Sequence, residues 1–500
     1  MPADLSPEEF RRLGHAFVDW VADHRAGLPG LPVVPPVEPG EVAAALTGPG
    51  AAFAGGRLPE SPRPLEELLG EVDRVVVPAS TLWQHPAFFG YFPANASTSS
   101  LLGDLLSGAL GAQGMLWSTS PAATEVEQVL LDGLARALGL GEAFTFTGDG
   151  ACGGGGSIQD SASSAALVAL LAALHRAGGG AWRETGVDGT ERVYVTAETH
   201  SSLAKAVRVA GLGARALRVV GTVAGTQSMS AAALAGAMAA DVAAGRRPVL
   251  VCATVGTTGT GAVDPVRDIA PVAAAHGAWL HVDAAWAGVA GLCPELRHVV
   301  DGAELADSFC TDAHKWLLTA FDASLLWVRD ATALPAALSV TPEYLRNAAS
   351  ESGAVVDYRD WQVPLGRRFR ALKLWAVVHD LGLDGLRTHL RGHVAAAVAL
   401  AGWVRAEPGV VLAAPPTLGL VCLRFVTADG GPDDATTRAV LERVNVSGAA
   451  FVTHTVVDGR YVIRVAIGGV ATERVHVEQL WELLRTGAAA VRATSALPRS

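Results

Sequence analysis

The chain is poor in the features that mark several large classes of protein. Its five cysteines, Cys152, Cys252, Cys293, Cys310 and Cys422, are odd in number, widely spaced and without a CxxC pair. This argues against a disulfide framework or a zinc site and leaves reduced, buried thiols; no metal is expected. Basic residues do not cluster beyond pairs such as Arg367-Arg368, and 38 basic against 49 acidic side chains give a net charge of −11. Nucleic acid is therefore not an expected partner. Half the residues are hydrophobic, yet the longest uncharged stretches, such as Val219 to Ala240, are broken by Gly, Ser, Thr and Gln. None is the continuous apolar run of roughly 20 residues that spans a bilayer. The N-terminus carries Asp4, Glu8 and Glu9 where a secretory leader would have a basic region and an apolar core. These absences lead us to expect a soluble, cytoplasmic protein with no membrane partner. No internal repeat is visible, and the one low-complexity stretch is the glycine run Gly153 to Gly156.

What is present is an excess of Ala, Val and Leu in 500 residues, enough for roughly three structural units. Residues 6–24 predict an amphipathic helix with Ser6 as N-cap, Pro7 in its first turn and Glu9 at the third position. Leu13, Phe17, Trp20 and Val21 fall on one face, and a Pro/Gly-rich connector (28–40) follows. From about residue 125, helices alternate with short apolar runs at 192–196, 248–253, 278–283 and 323–329. Such alternation with near-continuous apolar strands predicts an α/β fold with a mostly parallel sheet covered on both faces. Beyond Gly382 the pattern changes. A strand at 418–425, two more flanking the hairpin signal Asp458-Gly459, and a closing helix predict a small α+β domain.

Two short strings carry the chemistry. HVDAAWAG (281–288) places Asp283 at the end of one apolar strand, and DSFCTDAHKW (307–316) places Lys315 just after another. A buried carboxylate and a buried amine at the ends of neighbouring strands are each costly unless something binds there. An aldehyde cofactor with a basic ring nitrogen needs both: the lysine forms a Schiff base, and the aspartate keeps the ring nitrogen protonated. Burial is expected to lower the pKa of Lys315, so that a neutral amine can attack. A third candidate is the segment from Gly153 to Ser163, read as a glycine-rich phosphate cradle leading into a helix whose N-terminus favours an anion.

These strings resemble the group II amino-acid decarboxylases, closest in look to the aromatic-L-amino-acid decarboxylases. The resemblance extends through HPAFFGYFPANAS, SPAATEVEQVLLDGL, IQDSASSAALVALLAAL, AETHSSLAKAV, ATVGTTGTGAVDP and DYRDWQVPLGRRFRALKLW, and so covers most of the chain. It implies an aspartate-aminotransferase-like large domain of pyridoxal-phosphate fold type I over residues 93–381. An N-terminal helical segment (1–92) that locks a homodimer and a small domain (382–500) complete the chain. It implies pyridoxal 5'-phosphate as cofactor, with Lys315 as its covalent anchor and Asp283 at the ring nitrogen. Ala285 would lie against one ring face and His200 against the other, with Ala162 and Ser163 at the phosphate, and Thr258 and His314 close by. Tyr344, in TPEYLRN, matches a catalytic-loop tyrosine that delivers a proton together with His200; relatives with phenylalanine there make aldehydes. Trp83, Tyr91 and Phe92 match an aromatic substrate wall, with Met115 entering from a partner subunit. The expected reaction is decarboxylation of an L-aromatic amino acid to its amine, with an aldehyde-forming variant or a non-catalytic cofactor-binding protein as rivals. Three departures stand out: Asp312 where the family usually has asparagine, Asp160 where many relatives have glycine, and Ala94 where some carry a hydroxyl residue close to the substrate; in the substrate wall, Trp286 stands where many have tyrosine. Asp312 and Asp160 bring negative charge toward the expected phosphate.

Overall fold

Two sheets organise the chain, whose computed structural model describes residues 4–146, 153–340 and 355–495. The larger sheet contains β1 (Gly155–Gln159), β2 (Glu191–Val195), β3 (Leu217–Val219), β4 (Arg247–Thr254), β5 (Trp279–Asp283), β6 (Ser308–Asp312) and β7 (Ser324–Val328). Their order is β1-β7-β6-β5-β4-β2-β3. The run from β6 to β3 is parallel, and β7 is antiparallel to both its neighbours.

The apolar strand runs are explained by cover on both faces. Val251, Ala253, Leu280, Val282 and Phe309 join one core with Leu131 and Leu134 of the helix Pro121–Leu138. The alternate residues Leu250, Cys252, Trp279 and Cys310 join a second core with Val168 and Leu170 of the helix Ala162–Gly178. This period-two division is what a doubly covered sheet requires. Because β4, β5 and β6 run parallel, their carboxyl ends meet on one edge of the sheet, where crevices in such folds form.

The N-terminal helix Pro7–Gly27 begins as expected, with the Ser6 side chain accepting from the Glu9 amide. The small domain holds β8 (Val410–Leu412), β9 (Leu420–Phe425), β10 (Thr453–Val457) and β11 (Arg460–Ala466), all antiparallel in the order β10-β11-β9-β8. Asp458 and Gly459 close the hairpin at φ 50° and 73°, the left-handed pair a two-residue turn needs. This sheet packs on the helices Asp434–Val446 and Arg474–Ser495, and Phe88 and Phe89 of the N-terminal segment enter the same core. The long helix Ala371–Ala406 bends at Gly382, where φ is 59°, the position at which the pattern of the sequence changes. Among the described residues, no helix is long and apolar enough to cross a membrane.

One sequence expectation is corrected here. Gly155 and Gly156 belong to the buried edge strand β1, not to a loop that could cradle a phosphate. They are small because neighbours press on them: a Cβ on Gly156 would lie 2.8 Å from Trp327, and one on Gly155 would collide with Phe146. Close packing, rather than approach to an anion, explains the run.

Candidate active site

A cavity of about 280 Å³ opens at the carboxyl ends of β4, β5 and β6. Asp283 ends β5 and is 8 % exposed. Its Oδ1 accepts from the Ala285 amide at 3.1 Å, and the Cys310 thiol lies 3.8 Å from the same oxygen. The carboxylate is thereby aimed into the cavity from the strand end. Lys315 sits in the single helical turn Ala313–Trp316 that follows β6. The main chain of this turn is held by Asn95, a residue the sequence analysis did not single out. Asn95 is 1 % exposed; its Nδ2 donates to the carbonyls of Lys315 and, at 2.7 Å, of Gly468. Its Oδ1 accepts from the Val470 amide at 2.7 Å. One amide side chain thus ties the lysine turn to the small domain.

The remaining expected residues fall around these two. Ala162 and Ser163 line the cavity at the first turn of the helix Ala162–Gly178, where Ser161 is the N-cap. Unpaired N–H groups and the positive end of the helix dipole face that side. His200 caps the helix Ser201–Val209 and also lines the cavity. Its Nδ1 accepts from the Ser202 amide at 3.2 Å, which leaves Nε2 to carry the proton of a neutral ring. Thr258, Ala285 and His314 are also in the wall. His314 Nδ1 accepts from the Ala323 amide at 3.0 Å, and burial holds its pKa below the usual histidine value.

Tyr91 and Phe92 line the cavity, whereas Trp83 and Met115 do not. Trp83 stands one ring back, stacked on Tyr91 with centroids 5.5 Å apart, so it supports the wall instead of forming it. The Met115 carbonyl accepts from the Arg359 amide at 3.0 Å, away from this chain's cavity. Tyr344 lies outside the described residues. Trp286 is 2 % exposed and sandwiched between Phe92 (4.2 Å) and Trp316 (5.1 Å). Its bulk is part of the wall and does not fill the space. Behind Phe92 lies a second residue missed in the sequence, Arg464. Its guanidinium sits 4.3 Å over the Phe92 ring and donates to the Tyr91 carbonyl and, at 2.5 Å, to the Thr258 carbonyl. Burial pulls its pKa down to about 10. Its signal in the sequence was an arginine inside the apolar run Val462 to Ala466.

The charge on Lys315 differs from expectation. Burial alone pushes the amine down, but Asp312 at 2.7 Å and Asp283 outweigh it, and the net direction is up. Asp312 itself, penalised by burial, is brought below the usual carboxylate range by Lys315 and His314. The family asparagine would remove the largest contribution that opposes burial at this position and leave Asp283 to act with less help.

A carboxylate, an amine and a helix N-terminus around one cavity complement a pyridinium nitrogen, an aldehyde and a phosphate. Fold and donor set together define a pyridoxal-phosphate enzyme of fold type I. The comparisons agree. Residues 52–426 match the pyridoxal-dependent decarboxylase conserved domain. Phenylacetaldehyde synthase of Arabidopsis thaliana is 41 % identical over 486 residues, covering 96 % of both chains. Tryptophan decarboxylase 2 of Oryza sativa subsp. japonica is 41 % identical over 492 residues, covering 97 % of this chain and 96 % of that one. The crystal structure of Oryza sativa TDC with PLP and tryptamine superposes with a TM-score of 0.91 at 40 % identity, covering 98 % of this chain and 99 % of that one. The chain belongs to the pyridoxal-dependent decarboxylases: it is a lyase whose cofactor is pyridoxal 5'-phosphate.

Proposed function

We propose that the chain converts an L-aromatic amino acid to its amine and carbon dioxide. The observation that carries this reading is the cavity wall. Tyr91, Phe92 and Trp286 line it, and this aromatic surface suits an aromatic side chain. The cofactor supplies an electron-accepting ring for the electron pair left at Cα when carbon dioxide departs. Lys315 is its covalent anchor. Asp283 holds a proton at the ring nitrogen, and Ala162 and Ser163 receive the phosphate at their helix N-terminus. Ala285, His200, Thr258 and His314 line the same cavity and would hold the cofactor ring between them. His200, with its proton on Nε2, and Tyr344 return a proton to the substrate carbon.

A second reading has a specific motive, because the relative from Arabidopsis thaliana is named an aldehyde synthase. Tyr344 distinguishes the two: a phenol can donate the proton that ends the reaction as an amine, and a phenylalanine cannot. The test is a product panel with cofactor-loaded protein and L-tryptophan, L-tyrosine, L-phenylalanine and L-glutamate. Amine and carbon dioxide from an aromatic substrate without hydrogen peroxide support the proposal; aldehyde with peroxide favours the second reading. Tyr344→Phe should shift the products toward aldehyde.

The assembly belongs to the same proposal. Phe10 and Val18 on the N-terminal helix, and Leu102, Leu105, Leu106 and Leu110 on the helix Thr98–Leu110, are all more than half exposed. Apolar faces of this extent favour a second copy of the chain. Sedimentation should give twice the 51.4 kDa chain mass; a single-chain mass at micromolar concentration would contradict it.

A further inference from the structure

We propose that Asp312 governs the loading of the cofactor onto Lys315: it is the counter-ion that keeps the free amine charged, so that capture of the aldehyde waits on release of one proton. The proposal rests on the reading of Lys315 as the cofactor's lysine. The geometry is local and built in. Asp312 ends β6, Lys315 follows three residues later on the helical turn, and Oδ2 to Nζ is 2.7 Å. The Asp312 side chain is 3 % exposed, so its charge has lost water and depends on partners. His314 Nε2 stands 3.6 Å from the same oxygen, and Ser324 lies directly opposite Asp312 in the β6–β7 ladder.

The other groups facing Lys315 do not oppose this. Asp283 on β5 also favours a charged amine, and the Cys310 thiol on β6 is held protonated by burial. His200 lines the cavity from the next helix cap with its Nδ1 accepting from the Ser202 amide, and Asp322 acts on His314. Capture requires the lone pair of the amine. The ammonium sheds one proton, nitrogen bonds to the aldehyde carbon, and the carbonyl oxygen leaves as water with the two remaining nitrogen hydrogens. A counter-ion 2.7 Å from Nζ that favours the ammonium therefore slows the first of these steps at neutral pH.

The test follows the absorbance of the carbon–nitrogen double bond after mixing cofactor-free chain with pyridoxal, and separately with pyridoxal phosphate, between about pH 6.5 and 9.5. The wild-type rate constant should climb about tenfold per pH unit without levelling off below pH 8. Asp312→Asn and Asp312→Ser should load at least about tenfold faster at pH 7.5 with both aldehydes, and their profiles should level off at lower pH. Equal rates and profiles would overturn the proposal. So would a gain seen with pyridoxal phosphate alone, which would place the effect of Asp312 in repulsion of the phosphate. If neither variant folds, the wild-type profile decides alone, because levelling off below pH 8 contradicts a charged amine. Capture that persists unchanged in Lys315→Ala would instead overturn the assignment of the lysine, a result separable from any outcome at Asp312.

Discussion

Replacing Asn95 by alanine should loosen the site without touching any group that reacts. The side chain makes three hydrogen bonds, to the Lys315 and Gly468 carbonyls and from the Val470 amide, in a position 1 % exposed. Alanine leaves a buried N–H and two carbonyls short of a partner. At about 1–3 kcal/mol for each buried group left unpaired, the loss is about 4 kcal/mol. Urea unfolding should show it as a lower midpoint at unchanged slope. The lysine turn also loses its tie to the small domain, so turnover should fall roughly 100-fold, the scale expected when a reacting group is misplaced by about an ångström. Asn95→Asp should be no better: it keeps the acceptor for Val470 but turns an oxygen toward two carbonyl oxygens. A loss below about 0.5 kcal/mol for Asn95→Ala, with turnover unchanged, would refute the reasoning.

Three further outcomes are expected. Gly156→Ala drives a Cβ to 2.8 Å from Trp327 and 3.0 Å from Leu131, and should cost about 1–3 kcal/mol by overpacking, read by thermal melting. Burial lowers both His281 and His393 to about 4. Their neutral forms are favoured by folding, so the stability they confer is complete above about pH 6.5 and is lost as pH falls toward 4, by about 3 kcal/mol each. Asp264, raised by burial to about 6, works in the opposite direction over pH 4–6, so the clean comparison is wild type against His281→Gln in urea at pH 7 and 4.5, where the variant should lose less. Asp283→Asn should retain the fold and lower turnover roughly 100-fold, as removal of a charged hydrogen-bond partner does, with carbon dioxide release as the readout.

The parts of the site that were legible in the sequence are those carried by one short string. Asp283 and Lys315 end or follow strands whose apolar runs are visible, and Ser161 to Ser163 open a helix, so all three could be placed without tertiary knowledge. What was missed depends on partners far along the chain. The glycines of β1 read as a loop because Phe146 and Trp327, which force them to be small, come from other elements. Asn95 looked ordinary because its partners are at Lys315, Gly468 and Val470. The sign of the charge shift at Lys315 turned on where the Asp312 carboxylate points. The sequence showed the acid beside the expected phosphate, and the fold turns it onto the amine. Trp83 was matched by position, but reach of a side chain is set by the path of the backbone.

The most direct measurement uses L-tryptophan labelled with ¹³C in the carboxyl group and ¹⁵N in the amine, incubated with cofactor-loaded protein and followed by NMR. The account predicts ¹³C-labelled carbon dioxide and an amine that retains its ¹⁵N, in equal amounts. Release of the ¹⁵N as ammonium, with an aldehyde in place of the amine, would contradict it.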